Sequence, residues 1–355
     1  MIMDELELLE VVETAKRASL LAGREICKAW WRSGNMTTTA HVSDDNAAFV
    51  SSEIDSDSFF VREKKSNDKD LVTETDIKCE LIIKRVIERQ FARFGKASVI
   101  VGEEECAKNE GTIPTFDEKI KFCWFVDPVD GTTNFVHRYP NSCVSVGVCF
   151  YGEPYVGCVF NPITREMFVG VKGRGSELIE MTVVNEEEDD DDENNTKGDD
   201  ADADDLIYFR EQGRTKINVS KCAKLSQALI ATEIGVGRDE ETIDAIMGRL
   251  RCLVQNSRSV RCTGSCAMNM CAVAAGRLDG YFEIGFGGPW DNCAATVIVR
   301  EAGGVVIDPS GEEMHLNARR VLCANTQKVA DEFVNVLKTV KDGPLEPAKP
   351  SIQFN

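Results

Sequence analysis

With 355 residues, 43% of them hydrophobic and 28% charged, the chain has globular composition and material for a sizeable core, which excludes wholesale disorder, collagen-like structure and coiled coil. That length suits two domains, or one large α/β domain carrying insertions. The net charge of −19 is concentrated: residues 186–205 (EEEDDDDENNTKGDDADADD) hold 13 acids against one lysine, so −12 sits in that tract and the remainder carries −7. No lysine or arginine cluster offers a footprint for a phosphate backbone, so no nucleic-acid partner is expected.

The 14 cysteines include no C-x-x-C pair. MIMDELELLE is acidic where a secretory leader would be basic. The longest apolar stretch, Cys143–Tyr151, is far short of the ~20 residues of a membrane span. The expectation is a cytoplasmic protein with reduced core thiols and no membrane partner. With only His41, His137 and His315 available, a histidine-based zinc site is not expected, and any metal should be hard and oxygen-ligated.

In chain order, Leu8, Val12, Ala15, Ser19, Ala22, Ile26 and Ala29 recur every three or four residues and predict a helix over 4–31. Residues 37–60 lack a period and read as a flexible insertion. A second helix is expected over 76–94, then a buried strand over 98–102 (SVIVG). KFCWFV runs as a strand into Asp127, and strands over 142–150, 155–160 and 166–171 complete a meander. Beyond the acidic tract, the pattern predicts strands at 216–220 and 280–284 and helices at 239–254, 264–276, 291–301 and 327–340, with a strand at VVID before the last. The whole reads as a layered α/β protein without internal repeats.

The chemistry concentrates in WFVDPVDGTTNF (124–135). An apolar strand delivers Asp127 and Asp130, three apart across Pro128, and Gly131-Thr132-Thr133-Asn134 follows like a helix start, whose free N–H groups favour an anion. Two carboxylates beside an anion cradle are what a Mg²⁺-phosphate site requires; a plain Asp-Pro turn capping a helix accounts for the same residues. Glu103-Glu104-Glu105 ends the SVIVG strand, where α/β proteins place functional groups, or is a solvated acidic loop. Asp291 opens an apolar helix, as a ligand or a simple N-cap. Together these positions offer four carboxylates at element ends, enough for two or more metal ions roughly 4 Å apart.

Glu103-Glu104, DPVDGTTNFVHRYP (127–140), PWDNCAATVIVREAGG (289–304), LVTETD (71–76) and Gly264-Ser265 resemble the motifs of the inositol monophosphatase family, over about 4–26 and 64–338. The run through TTNFVHRYP favours inositol monophosphatases over relatives acting on adenosine bisphosphates or fructose bisphosphate. The resemblance implies a single domain with a five-layer α-β-α-β-α sandwich (α/β, α+β layered), an N-terminal half to about 220, a C-terminal half over 221–340, and flexible insertions at 37–60 and 177–214. It implies Mg²⁺-dependent, lithium-sensitive hydrolysis of inositol monophosphate to myo-inositol and phosphate, with two or three Mg²⁺ ions and a homodimer. Glu103, Asp127, the Val129 carbonyl, Asp130 and Asp291 would hold metal. Thr132, oriented by Asp76, would help Glu103 position and deprotonate the attacking water. The N–H groups of Gly131 and Thr132 would hold phosphate, with Asp130 and Asp291 beside the substrate. Gly264, Ser265 and Glu283 would face the inositol hydroxyls, with Lys65 near the metals.

Eight positions separate Glu283 from Asp291 (EIGFGGPWD), one more than the family pattern, and RSVRCTG (258–264) carries about two extra residues; both alter the expected pocket wall. Another small sugar phosphate or bisphosphate is therefore the alternative substrate class. A non-catalytic interaction protein using the acidic tract is the alternative from outside enzymology. A covalent phospho-aspartate is disfavoured, because both aspartates of the motif are assigned to metal.

Overall fold

The computed structural model describes residues 3–32, 61–63, 71–109, 119–184, 208–235 and 237–348. The expected insertion at 37–60, Lys65 and the acidic tract lie outside these residues. Helix α1 (Glu5–Arg32) buries Leu8, Val11, Ala15, Ala18, Ala22 and Ile26 along one face, so Val11 rather than Val12 lies on the stripe. Helix α2 (Glu74–Phe91) starts two residues earlier than expected. There the Thr73 hydroxyl accepts from the Asp76 N–H at 3.4 Å, and the Asp76 carboxylate accepts from the Thr73 N–H at 3.0 Å, a reciprocal cap that fixes the first turn. Its predicted last turn is a separate 3₁₀ segment, Ala92–Ala97, broken at Gly95.

A two-stranded ribbon, β1 (Val61–Glu63) with β2 (Leu71–Thr73), precedes α2. Seven strands form the first large sheet in sequence order: β3 (Ser98–Gly102), β4 (Phe122–Asp130), β5 (Cys143–Phe150), β6 (Glu153–Asn161), β7 (Glu166–Val171), β8 (Gly175–Val184) and β9 (Tyr208–Ile217). Only β3 and β4 run parallel. Short helices α3 (Glu103–Lys108) and α4 (Thr132–Val136) follow β3 and β4. The insertion expected over 177–214 is corrected at both ends: residues up to Val184 and from Tyr208 are paired strands of this sheet. The strand read at 216–220 is the end of β9, and Asn218–Ser220 is coil.

The second sheet has the order β11-β10-β12-β14-β13, built from β10 (Leu229–Thr232), β11 (Ser259–Arg261), β12 (Gly280–Ile284), β13 (Val305–Ile307) and β14 (Arg320–Ala324). Its helices are α5 (Glu240–Asn256), α6 (Cys266–Ala274), α7 (Pro289–Glu301) and α8 (Gln327–Leu337). Three apolar clusters define five layers. Phe122, Trp124 and Val126 of β4, with Val144, Val146 and Val148 of β5, pack on α1 and α2. The alternate residues Cys123, Phe125, Cys143 and Cys149 face α6 and α7, which also cover Tyr281 and Val321 of the second sheet. Leu253 of α5 and Phe333 of α8 close its outer face over Ile230 and Leu322. Burial on both faces explains why β4 and β5 read as continuous apolar runs.

Helix α7 lies unusually close to the first sheet. Gly147, Gly157 and Gly170 are cross-strand neighbours on β5, β6 and β7 and form a trough for it. A Cβ on Gly147 would lie 2.6 Å from the Ala294 nitrogen, one on Gly157 2.0 Å from the Ala294 oxygen, and one on Gly170 2.7 Å from Cα of Ile298. In the next strand, the Ser176 hydroxyl donates to the Ile298 carbonyl at 2.8 Å. The small residues Cys293, Ala294 and Ala295 of α7 are fully buried here, which is their structural role. Among the described residues no helix is long and apolar enough to cross a membrane.

Candidate active site

Residues three apart on a regular strand face opposite sides of the sheet. Strand β4 escapes this with a bulge: Asp127 pairs with Ser145 and Asp130 with Cys143, three steps on one strand against two on the other. The extra residue falls at Pro128-Val129, where Pro128 has no N–H to withdraw from the ladder. Both aspartates therefore turn toward the α6/α7 layer. Asp130 Oδ2 accepts from the Ser265 hydroxyl at 2.6 Å and the Ala267 N–H at 2.7 Å, so the first turn of α6 fixes its orientation.

The third carboxylate arrives with α7. The helix starts at Pro289, with Gly288 as N-cap, so Asp291 is not the cap itself; it lies inside the first turn, and its Oδ2 accepts from the Gly288 N–H at 2.6 Å. Ser145, the cross-strand neighbour of Asp127, donates to the Trp290 carbonyl at 2.9 Å and pins that turn beside β4. Carboxylate oxygens of Asp127, Asp130 and Asp291 consequently lie within 4.8 Å of one another, on residues only 2%, 6% and 8% exposed.

Burial disfavours the charged forms and the carboxylates repel each other. Asp127 is driven well above the ordinary aspartate range by desolvation and then by Glu103, Asp130, Asp291 and Asp76, all negative. Asp291 is raised well above its range by burial, Asp130 and Glu103. Asp130 is pushed up to about 6, chiefly by desolvation, against the hydrogen bonds from Ser265 and Ala267. A buried acidic cluster that offers only oxygen donors fits a hard divalent cation.

Glu103 opens α3 and is half-buried at the same cluster; the three glutamates form a helical turn, not the solvated loop of the alternative reading. Its placement depends on Glu80, which the sequence reading missed. The buried Glu80 carboxylate accepts from the Glu104 N–H at 2.7 Å and the Glu105 N–H at 3.1 Å, and pairs with Lys84. It approaches so closely that a Cβ on Gly102 would lie 2.4 Å from its oxygen. Thr132 Oγ1 sits 3.1 Å from both Asp76 Oδ1 and the Val129 carbonyl oxygen, two acceptors for its single proton. Asp76 is raised to about 6 by burial, against its hydrogen bond from Thr73. Gly131, at φ 87, is the left-handed N-cap of α4, leaving the first N–H groups of that turn without partners inside the helix.

The far wall is a loop at Thr263–Ser265. Gly264 has φ 78, and a Cβ there would meet the Asn134 side chain at 2.7 Å. Asn134 Nδ2 donates to the carbonyls of Asn141 and Thr263, each at 2.7 Å, so this loop is stitched to the GTTN turn. Glu283 stays buried on β12 despite the longer connection, which is taken up in a bend containing Gly285 at φ 99. It accepts from the Tyr281 hydroxyl and is pushed up to about 8, first by desolvation and then by Glu233.

Because that folded-state value lies above the ordinary 4.5, the stabilisation from protonated Glu283 is complete below pH 4.5 and is lost as pH rises through 8. In EDTA, Glu283→Gln should therefore flatten the fall in Tm between pH 6 and 9, gaining on the order of 2 kcal/mol relative to the parent at the alkaline end. Parallel Tm–pH curves for the two proteins would contradict this.

The structure thus brings Asp76, Glu103, Asp127, Val129, Asp130, Thr132 and Asp291 to one point, with Gly131, Gly264, Ser265 and Glu283 around it. Sequence reasoning missed Glu80, Ser145 and Glu233, which hold backbone of distant segments and carry no motif of their own, and it read Asn134 in its motif without this stitching role.

Comparison with known proteins points to one family. A sequence profile of the inositol monophosphatase family matches residues 35–341. Inositol monophosphatase 2 of Solanum lycopersicum is 41% identical over 76% of this chain and 85% of its own length, and the inositol monophosphatase of Mesembryanthemum crystallinum is 36% identical over 82% and 93%. Among solved structures, the IMPase of Thermotoga maritima superposes with a TM-score of 0.63 at 25% identity, covering 95% of this chain and 98% of that one. The inositol monophosphatase of Anabaena gives 0.64 at 23% over 95% and 98%. The chain belongs to the inositol monophosphatase family.

Proposed function

We propose that this protein hydrolyses inositol monophosphates to myo-inositol and phosphate at the Asp127–Asp130–Asp291 cluster, with two or three Mg²⁺ ions as cofactor. The observation that carries the reading is the convergence of three buried, mutually repelling carboxylates, in a chain of this family. Glu103, Asp127 and Asp130, with Asp291 from α7 and the Val129 carbonyl, would hold the metal. Bound there, it supplies neutralisation of phosphate charge and acidification of a water.

The chain's own groups do the rest. Glu103 accepts the proton of the attacking water. The Thr132 hydroxyl, held by Asp76 and the Val129 carbonyl at 3.1 Å, orients that water; because it stays protonated at neutral pH, it is not itself the base. The N–H groups of Gly131 and Thr132 bind phosphate oxygens, and Gly264, Ser265 and Glu283 face the alcohol being released. Protonated at neutral pH, Glu283 is suited to donate a hydrogen bond to a sugar hydroxyl.

A homodimer and a cytoplasmic location complete the proposal, the latter supported by fourteen free thiols, most of them buried. A substrate panel tests the reading: inositol 1-phosphate should exceed fructose 1,6-bisphosphate and adenosine 3′,5′-bisphosphate in kcat/KM by about 100-fold, with lithium inhibiting turnover. Preference for either bisphosphate would transfer the metal site to the alternative substrate class.

A further inference from the structure

Glu233 follows the last residue of β10 and belongs to no motif. One oxygen of its carboxylate, Oε1, accepts three hydrogen bonds, from the Thr263 N–H, the Gly264 N–H and Asn269 Nδ2, each at 2.8 Å. Two successive backbone N–H groups converging on one point form an arrangement that takes an anion, and here the anion is supplied by the chain itself. Asn269 is fixed in turn, its Oδ1 accepting from the Thr263 hydroxyl at 2.7 Å. On the opposite side, Asn134 and Asn141 donate to the Thr263 carbonyl at 2.7 and 3.0 Å. The loop is therefore clamped between a carboxylate and two amides. The residue after Gly264 is Ser265, which donates to Asp130. Glu233 also lines a small cavity with Arg249, Phe282 and Ile284, but Arg249 pairs with Asp342 and Glu346. The charge of Glu233 is thus left to the loop donors.

We propose that Glu233 is a specificity-determining positioning residue, whose carboxylate holds the Thr263–Ser265 loop in the shape that recognises the sugar ring while touching neither phosphate nor metal. This rests on the reading of that loop as the inositol-facing wall. Removing the carboxylate leaves three donors unsatisfied and frees the loop, which should weaken recognition of a ring and spare an acyclic ester bound through its phosphate alone.

The test compares Glu233→Ala and Glu233→Gln on inositol 1-phosphate and β-glycerophosphate at saturating Mg²⁺. Glu233→Ala should raise KM for inositol 1-phosphate at least tenfold with kcat within threefold, and leave KM for β-glycerophosphate within twofold. Glu233→Gln keeps an acceptor oxygen and should restore KM to within threefold of the parent. Should Glu233→Ala give no soluble protein, Glu233→Asp, with its carboxylate drawn back by one methylene, carries the test with an expected rise of at least threefold. Equal losses on both substrates, or an unchanged KM, would overturn the proposal. Glu283→Gln run in parallel separates the causes: a selective KM rise there with none at Glu233 refutes the role of Glu233 alone, whereas no rise in either removes the inositol-facing wall as well.

Discussion

Replacing Asp127 by Asn should lower kcat/KM for inositol 1-phosphate by about 10³-fold or more, the equivalent of ~4 kcal/mol of lost transition-state stabilisation, and Asp291→Asn should do the same. Metal-free Asp127→Asn should nevertheless be more stable than the metal-free parent. Its carboxylate is buried among Glu103, Asp130, Asp291 and Asp76, every one of which raises its pKa, so a neutral isostere removes repulsion as well as desolvation. A gain of about 1–3 kcal/mol is expected, read as a Tm higher by several degrees in EDTA. Added Mg²⁺ should raise the Tm of the parent through linkage and move that of the variant far less. Loss of activity together with loss of stability in EDTA would mark Asp127 as a structural residue; retained activity would remove it from the metal site.

The second large effect is expected far from any carboxylate. Gly157→Ala should destabilise the fold by about 3 kcal/mol or more and lower kcat with it. Its Cβ would stand 2.0 Å from the Ala294 oxygen and 2.7 Å from its carbonyl carbon, and neither belongs to a side chain that can swing away. Overpacking commonly costs 1–3 kcal/mol where side chains yield; here helix α7 itself has to lift. Asp291 is three residues, less than one helical turn, from Ala294, so the lift would displace it directly and activity should fall even in the fraction that folds. Gly173→Ala is the control: a Cβ there meets nothing within 4 Å, and the position is strained only by φ 77, for about 1 kcal/mol. Similar Tm values for the two variants would show that α7 does not depend on the glycine trough.

Much of this was legible in the sequence where a single segment carries its own signal. The 3–4 spacing through Leu8 and Ile26 and the apolar runs of β3 to β7 are local patterns with strong periods, and DPVDGTT names its chemistry within one turn. What was not legible depends on pairs of segments. The polar strand β9 (YFREQGRTKI) has an apolar residue on only part of one face, and proximity to the acidic tract made it read as insertion. Strands β10, β11 and β14, of four, three and five residues, went unread, whereas the equally short β12 and β13 were found from their apolar runs. The bulge at Pro128-Val129 exists only relative to β5, and it decides whether Asp127 and Asp130 share a face. Glu80 holds Glu104 across 24 positions, and Ser145 holds Trp290 across 145; either looks like an ordinary polar residue until both ends are in place. Gly147, Gly157 and Gly170 lie inside the predicted strands without a local reason of their own; that reason, the close approach of α7, lies more than a hundred residues downstream.

The measurement that tests the central claim most directly is phosphate release from D-myo-inositol 1-phosphate by the full chain, in Mg²⁺, in EDTA, and after Mg²⁺ is returned, with Asp127→Asn alongside. A cluster of buried carboxylates that serves as a catalytic metal site predicts steady release in Mg²⁺, none above background in EDTA, recovery on adding Mg²⁺ back, and no release by the variant under any condition. Release that persists in EDTA, or that the variant retains, would contradict the assignment of Asp127, Asp130 and Asp291 as the metal-holding centre of the enzyme.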